Sequence, residues 1–181
     1  MIAFQSATTL EKVLNKPFDL QQFKKKKGQS NSGGANKRSY YYKPAEKGFY
    51  MSFSIFDLMK GYIGEDTTYR IDYKEAIYIV TYKPFDKDQD MYLDPNETLI
   101  EIKLLLNEQD LPQLAYVGLD TIKVKNKLGD NFIRKNDCFI YSNRSAALTL
   151  KTKAGRVSWL KWTRLNFVLN KDNVPEELVN E

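Results

Sequence analysis

Any chemistry in this chain has to be done by carboxylates, lysines and tyrosines, because its 181 residues include no histidine and one cysteine, Cys138. Ser/His and Cys/His nucleophile systems are therefore excluded, as are zinc sites built from imidazole or paired thiolates. Neither GxxxxGK(S/T) nor GxGxxG occurs, so no phosphate-cradling glycine loop is available for nucleotide hydrolysis. The most distinctive stretch is 24–47, KKKKGQSNSGGANKRSYYYKPAEK. Four lysines (Lys24, Lys25, Lys26, Lys27) lead into a Gly/Ser/Asn tract turning at Gly33-Gly34, and Lys37, Arg38, Tyr40, Tyr41, Tyr42 and Lys43 follow. Cations track a phosphate backbone and exposed rings stack on unpaired bases, so this composition suits a single-strand clamp. A solvated basic surface loop would have the same letters.

Two carboxylate patterns could hold a metal. Asp86, Asp88, Asp90, Asp94 and Glu97 stand at relative positions 1, 3, 5, 9 and 12, which resembles the calcium loop of an EF-hand. Met91 replaces the turn glycine of that motif, and IYIVTY and TLIEIKLLL on either side read as strands, not helices. A solvated acidic hairpin loop is the preferred reading. The second pattern, Glu101-Ile102-Lys103 with Asp72 and Asp94 upstream, resembles the metal core of the restriction-endonuclease-like nucleases. The resemblance implies carboxylates on magnesium and a lysine assisting the attacking water. Alternation of Glu and Lys on a solvent-facing strand gives the same letters, and that family's core is mixed α/β. The expectation is that the chain binds neither cofactor nor metal.

These residues need a scaffold, and composition describes one. At 42% hydrophobic and 13% aromatic the chain is globular, long enough for one domain, 1–170, with a flexible basic insertion at 24–47 and an acidic tail, 171–181. The net charge of +5 is unevenly spread: +7 over 24–47, −7 over 48–119, +9 over 120–171 and −4 over 172–181. Two basic blocks around an acidic centre suggest one face suited to a polyanion. A lone cysteine, no signal-like N-terminus and no apolar run of membrane-spanning length predict a soluble cytoplasmic protein.

A short helix is predicted over 6–16, where Thr8 and Glu11 have capping-box spacing, with Phe18, Leu20 and Phe23 anchoring the base of the arm. Beyond Gly48, short aromatic and β-branched runs predict strands near 49–53, 68–73, 76–83, 98–106, 114–117, 120–125, 138–142, 146–152 and 156–168. A helical turn is expected at 54–60, between Ser54 and Gly61, and a hairpin around Lys153-Ala154-Gly155. In 156–168, alternation puts Trp159, Lys161 and Thr163 on one face and Leu160, Trp162 and Arg164 on the other. Either both faces are covered by protein, or one tryptophan is exposed beside a cation.

The expected fold is mainly β with minor α: an antiparallel small barrel or sandwich, similar in general character to the oligonucleotide-binding barrel, though no motif identifies that family. The expected function is non-enzymatic binding of single-stranded nucleic acid, DNA before RNA, with low sequence specificity. The AT-rich residue usage suits a phage or mobile element. Phosphate contacts are assigned to Lys24, Lys25, Lys26, Lys27, Lys37, Arg38, Lys43, Lys153, Arg156, Lys161 and Arg164, helped by some of Lys123, Lys125, Lys127 and Lys151. Stacking is assigned to Tyr40, Tyr41, Tyr42 and Trp159. The acidic tail is expected to be mobile and could recruit a replication or recombination protein. The alternatives are a protein-interaction module, such as a viral or host-directed inhibitor or an assembly subunit, and a magnesium-dependent nuclease.

Overall fold

The structure, a computed structural model, describes residues 2–27, 32–33, 42, 44–63, 69–85 and 95–180. Two helices, α1 (Ile2–Asn15) and α2 (Leu20–Lys27), precede a short strand β1 (Ser32–Gly33) and the long pair β2 (Gly48–Ile63) and β3 (Tyr69–Pro84). β4 (Thr98–Leu104) leads through a 3-10 turn (Pro112–Leu114) to α3 (Thr121–Leu128). Then come β5 (Ile133–Lys135), β6 (Cys138–Ser142), β7 (Ala146–Lys153), β8 (Arg156–Arg164) and α4 (Glu176–Val179). All strands join one antiparallel sheet in the order β1-β2-β3-β4-β8-β7-β6-β5. The mainly antiparallel β fold with a few short helices is thus the expected class. The sheet is open, with β1 and β5 at its two edges, so it does not close into a barrel.

Both faces are covered, and strand alternation explains how. Ile77, Ile79, Ile102, Leu104, Leu148, Leu150, Leu160 and Trp162 point to one side, against Val13 and Leu14 of α1, Phe23 of α2 and Val124 and Leu128 of α3. Trp162 donates its indole N–H to the Leu14 carbonyl at 3.1 Å, fastening α1 across the sheet. The opposite face carries Cys138, Ile140, Ala147 and Trp159, and the chain after β8 folds back over them with Leu165, Leu169, Val174, Leu178 and Val179. Of the two readings for the tryptophan strand, coverage on both faces is the outcome: Trp159 and Trp162 are each 1% exposed.

Several local expectations are corrected. The 54–60 segment is strand, not a helical turn, because it stays paired with β3 through Phe56↔Glu75 to Ile63↔Tyr69, beyond the last β3–β4 pair, Ile77↔Leu104. The predicted strands at 114–117 and 120–125 are the end of the 3-10 turn and α3. Asp120 caps α3 by accepting from the Ile122 N–H, and Val124 and Leu128, four residues apart, face the core while Ile122 stays 67% exposed. The first helix starts at Ile2, so Thr8 lies inside it and does not cap it. Lys24 to Lys27 form the last turn of α2, not the start of a flexible loop. The acidic tail is not free: α4 is docked, with Leu178 and Val179 buried, and Lys161 donates to the Glu177 and Asn180 carbonyls at 2.7 and 2.9 Å.

The β5–β6 and β7–β8 turns have two central residues each, all with positive φ: Asn136 and Asp137 in one, Ala154 and Gly155 in the other. That is the type I′ geometry whose twist matches a right-handed hairpin, and it suits Asn, Asp and Gly but not Ala. Ala154, at φ 49°, is the misfit. Ala154→Asn is expected to stabilise the protein by about 1 kcal/mol, read as a higher urea midpoint at unchanged m-value.

Candidate nucleic-acid interface

A groove lined by three cations lies on the helix-bearing face, at the β5 edge. It has a volume of about 510 Å³ and is lined by Thr121, Lys125, Arg134, Asp137, Phe139, Thr152 and the 153–155 turn. Three elements each contribute one cation: α3 gives Lys125, β5 gives Arg134 and the end of β7 gives Lys153. Cross-strand register sets this up, since Arg134 lies opposite Phe139, which lies opposite Leu150, all on the face that α3 covers. The Lys125 ammonium rests over the Phe132 and Phe139 rings, 5.3 and 5.7 Å from their centroids, so aromatic faces hold the cation at the groove wall. Asp130, 3.7 Å from Lys125 and largely exposed, is a weak, solvent-screened partner. Neither Arg134 nor Lys153 pairs with a carboxylate among the described residues.

Hydrogen bonds tie the groove wall together. Asp137 accepts from both the amide and the hydroxyl of Thr152 through its carbonyl, at 2.8 Å each, tying the β5–β6 turn to β7. Gly155 accepts from the Thr121 amide at 3.0 Å, tying the β7–β8 turn to the start of α3. Arg156 donates to the Gly118 carbonyl at 3.0 Å and stays exposed beside the same turn. Lys123 and Lys127 are exposed on α3, and Lys151 donates to the Asn136 carbonyl at 2.5 Å.

The other residues expected to contact nucleic acid fall elsewhere. Lys37, Arg38, Tyr40, Tyr41 and Lys43 lie outside the described residues. Lys25 is exposed on α2. Lys24 is 2% exposed and its ammonium lies 2.7 and 2.5 Å from the two carboxylate oxygens of Glu97, whose side chain is fully buried. Thr81 also donates to that carboxylate, at 2.5 Å. Lys26 pairs with Asp110 at 3.0 Å, and Lys27 with Glu108 and Asp110 at 2.8 and 3.1 Å. Burial alone would lower the pKa of Lys27, but its hydrogen bonds to Glu108 and Asp110 outweigh that and raise it. Hydrogen bonds from Lys26 and Lys27 hold Asp110 below the usual carboxylate range, so these pairs stabilise at neutral pH and are lost as pH falls through that lowered value.

Three further assigned residues are built into the fold. Trp159 is sealed beneath the C-terminal segment, with the Lys103 and Lys161 ammonium groups 5.5 and 5.4 Å from its ring centroid. Lys161 is 5% exposed and held by the Glu177 and Asn180 carbonyls of the tail. Arg164 donates to the Leu99 carbonyl at 2.8 Å and packs its guanidinium over the Tyr42 and Trp162 rings, leaving Tyr42 half-buried. Sequence reasoning missed Arg134; the Asn136-Asp137 pair between two short apolar runs is the hairpin signal that could have placed it.

The metal patterns fare differently. Glu97, the closing ligand of the calcium-loop pattern, is committed to Lys24 and Thr81, while Asp86, Asp88, Asp90 and Asp94 lie outside the described residues. Glu101 accepts from Thr163 at 3.3 Å and Lys103 rests over Trp159, both on the face packed by the C-terminal segment. Among the described residues no three His, Cys, Asp or Glu side chains gather where they could hold a metal, and no helix is long and apolar enough to cross a membrane. The class of protein these features define is an open antiparallel sheet covered on both faces, with a basic groove at one edge. Compared with known protein families, curated proteins and solved structures, the chain matches none.

Proposed function

We propose that this protein binds nucleic acid with little sequence preference, through the edge of the sheet where α3 meets the β5–β6 and β7–β8 turns. The observation that carries this reading is the convergence of Lys125, Arg134 and Lys153, from three separate elements, on one groove with Asp137 as its single lining carboxylate. Exposed Lys123, Lys127 and Arg156 extend the positive surface around it. Phosphate contacts of this kind give affinity that falls steeply with salt and carries no base information. Trp159 and Phe139 are buried, so stacking at the groove is not part of the reading. A preference for single strands rests instead on Tyr40 and Tyr41.

Fluorescence anisotropy with labelled single-stranded and duplex 30-mers, each at two salt concentrations, tests both halves. Binding of the single strand is expected to weaken steeply between 50 and 200 mM salt, on the order of tenfold or more for a few phosphate contacts. Tyr40→Ala/Tyr41→Ala is expected to weaken the single strand several-fold more than the duplex, since each stack removed is worth about 1–3 kcal/mol. Absence of binding to either form at the lower salt would reject the proposal. Equal weakening of both forms by the tyrosine variant would reject the single-strand preference alone.

A further inference from the structure

Resting on that reading, we infer that the groove is an end-binding pocket for the terminal phosphomonoester of a nucleic-acid strand. Its lining charges are Lys125, Arg134 and Lys153 against Asp137, a net of +2. A phosphomonoester carries a charge near −1.5 to −2 at neutral pH, whereas a backbone phosphodiester carries −1. The charge of the groove therefore matches a strand end better than a strand interior.

The lining is also preformed. Here the two type I′ turns, with Asp137 in one and Ala154 and Gly155 in the other, form part of the lining and are fastened to β7 and α3 by the Thr152 and Thr121 bonds. Asp137 adds one negative charge to the lining, which disfavours crowding a second phosphate beside the first. Arg134 supplies a planar fork suited to two oxygens of one phosphate, and Lys125 and Lys153 supply point charges beside it. Thr121, also in the lining, carries a hydroxyl able to donate.

The test compares one 30-mer bearing a 5′-phosphate, a 3′-phosphate or hydroxyls at both ends, by anisotropy at fixed pH and salt, with the full-length protein. A phosphorylated end is expected to tighten binding by about tenfold, the scale of one further charge-assisted hydrogen bond. Millimolar inorganic phosphate should weaken the phosphate-ended strands more than the hydroxyl-ended strand and so remove that advantage. Arg134→Gln and Lys153→Gln, both at exposed positions, should equalise the three oligonucleotides. Equal affinity of the wild-type protein for all three would overturn the end-binding inference and leave general nucleic-acid binding standing. No binding of any of them would overturn both. An advantage that survives both glutamine variants would place the terminal phosphate elsewhere and overturn this assignment of the pocket.

Discussion

Lys24→Met is expected to lower the unfolding free energy by about 3–5 kcal/mol, the usual consequence of stranding one partner of a buried ion pair. The Lys24 ammonium is held between both oxygens of Glu97, and neither side chain is more than 2% exposed. Thr81 and Gln21 also donate to the carboxylate, at 2.5 and 3.5 Å, and the ammonium lies 5.1 Å from the Phe53 ring centroid. Without the lysine, Glu97 keeps one hydroxyl and one long amide contact while its side chain stays sealed from water, too little to offset desolvation of a full charge. The double variant Lys24→Met/Glu97→Leu removes both charges and should recover most of the loss, because an apolar pair of similar volume often equals or exceeds a buried ion pair. Lys26→Met breaks an exposed, solvent-screened pair and should cost far less. Urea unfolding of the four proteins decides the matter: a Lys24→Met loss no larger than that of Lys26→Met would mean the pair is effectively solvated.

That ion pair also shows why part of the candidate site was not legible in the sequence. KKKK reads as a polyanion-binding run, and nothing local distinguishes Lys24 from its neighbours. Its partner lies 73 residues away, at the end of an acidic stretch that reads as a loop in its own right. Division of the charge into blocks did carry information, but it did not show that members of the first basic block pair with the acidic centre. Among the described residues, Glu97, Glu108 and Asp110 of the acidic centre are the partners of Lys24, Lys26 and Lys27. The first basic block is thereby neutralised at its base, and the block over 120–171 supplies the cations of the groove.

Where turn chemistry and alternation act together, the sequence was sufficient. The β7–β8 hairpin follows from Lys153-Ala154-Gly155 between two period-two runs, and the opposition of Trp159 and Trp162 follows from that alternation. The failures occurred where two periods compete. In 120–128, Ile122 and Val124 alternate as in a strand, yet Val124 and Leu128 with the Asp120 cap specify a helix, and burial of that pair decides the outcome. Over 54–60, a Ser, an Asp and a terminal Gly imitate helix punctuation, but the partner strand runs alongside for the whole length and its ladder prevails. The docked tail was hidden for a related reason: a short acidic segment looks solvated until Val174, Leu178 and Val179 are seen to cover Trp159.

Reversal of the groove, Lys125→Glu/Arg134→Glu/Lys153→Glu, is expected to weaken single-strand binding on the order of 100-fold at physiological salt. Each phosphate left without its cation should reduce the slope of log K against log salt by about 0.7 on a single strand, so three reversed cations predict a drop of about 2. The slope is the more discriminating readout, because a misfolded variant loses affinity at every salt whereas removal of phosphate-binding cations flattens the dependence. Arg134 and Lys153 are exposed, and Lys125 is partly buried against the Phe132 and Phe139 rings, so Lys125 is the substitution to check by unfolding. Replacing Lys25, exposed on α2, by glutamate in an otherwise native chain serves as the comparison. If the groove is the binding surface, one reversed charge on α2 should change affinity by only a few-fold and the slope by less than about 0.7. If Lys25→Glu instead equals the triple reversal, binding runs along α2 and the basic arm beyond it, and the α3 edge is not where the strand lies.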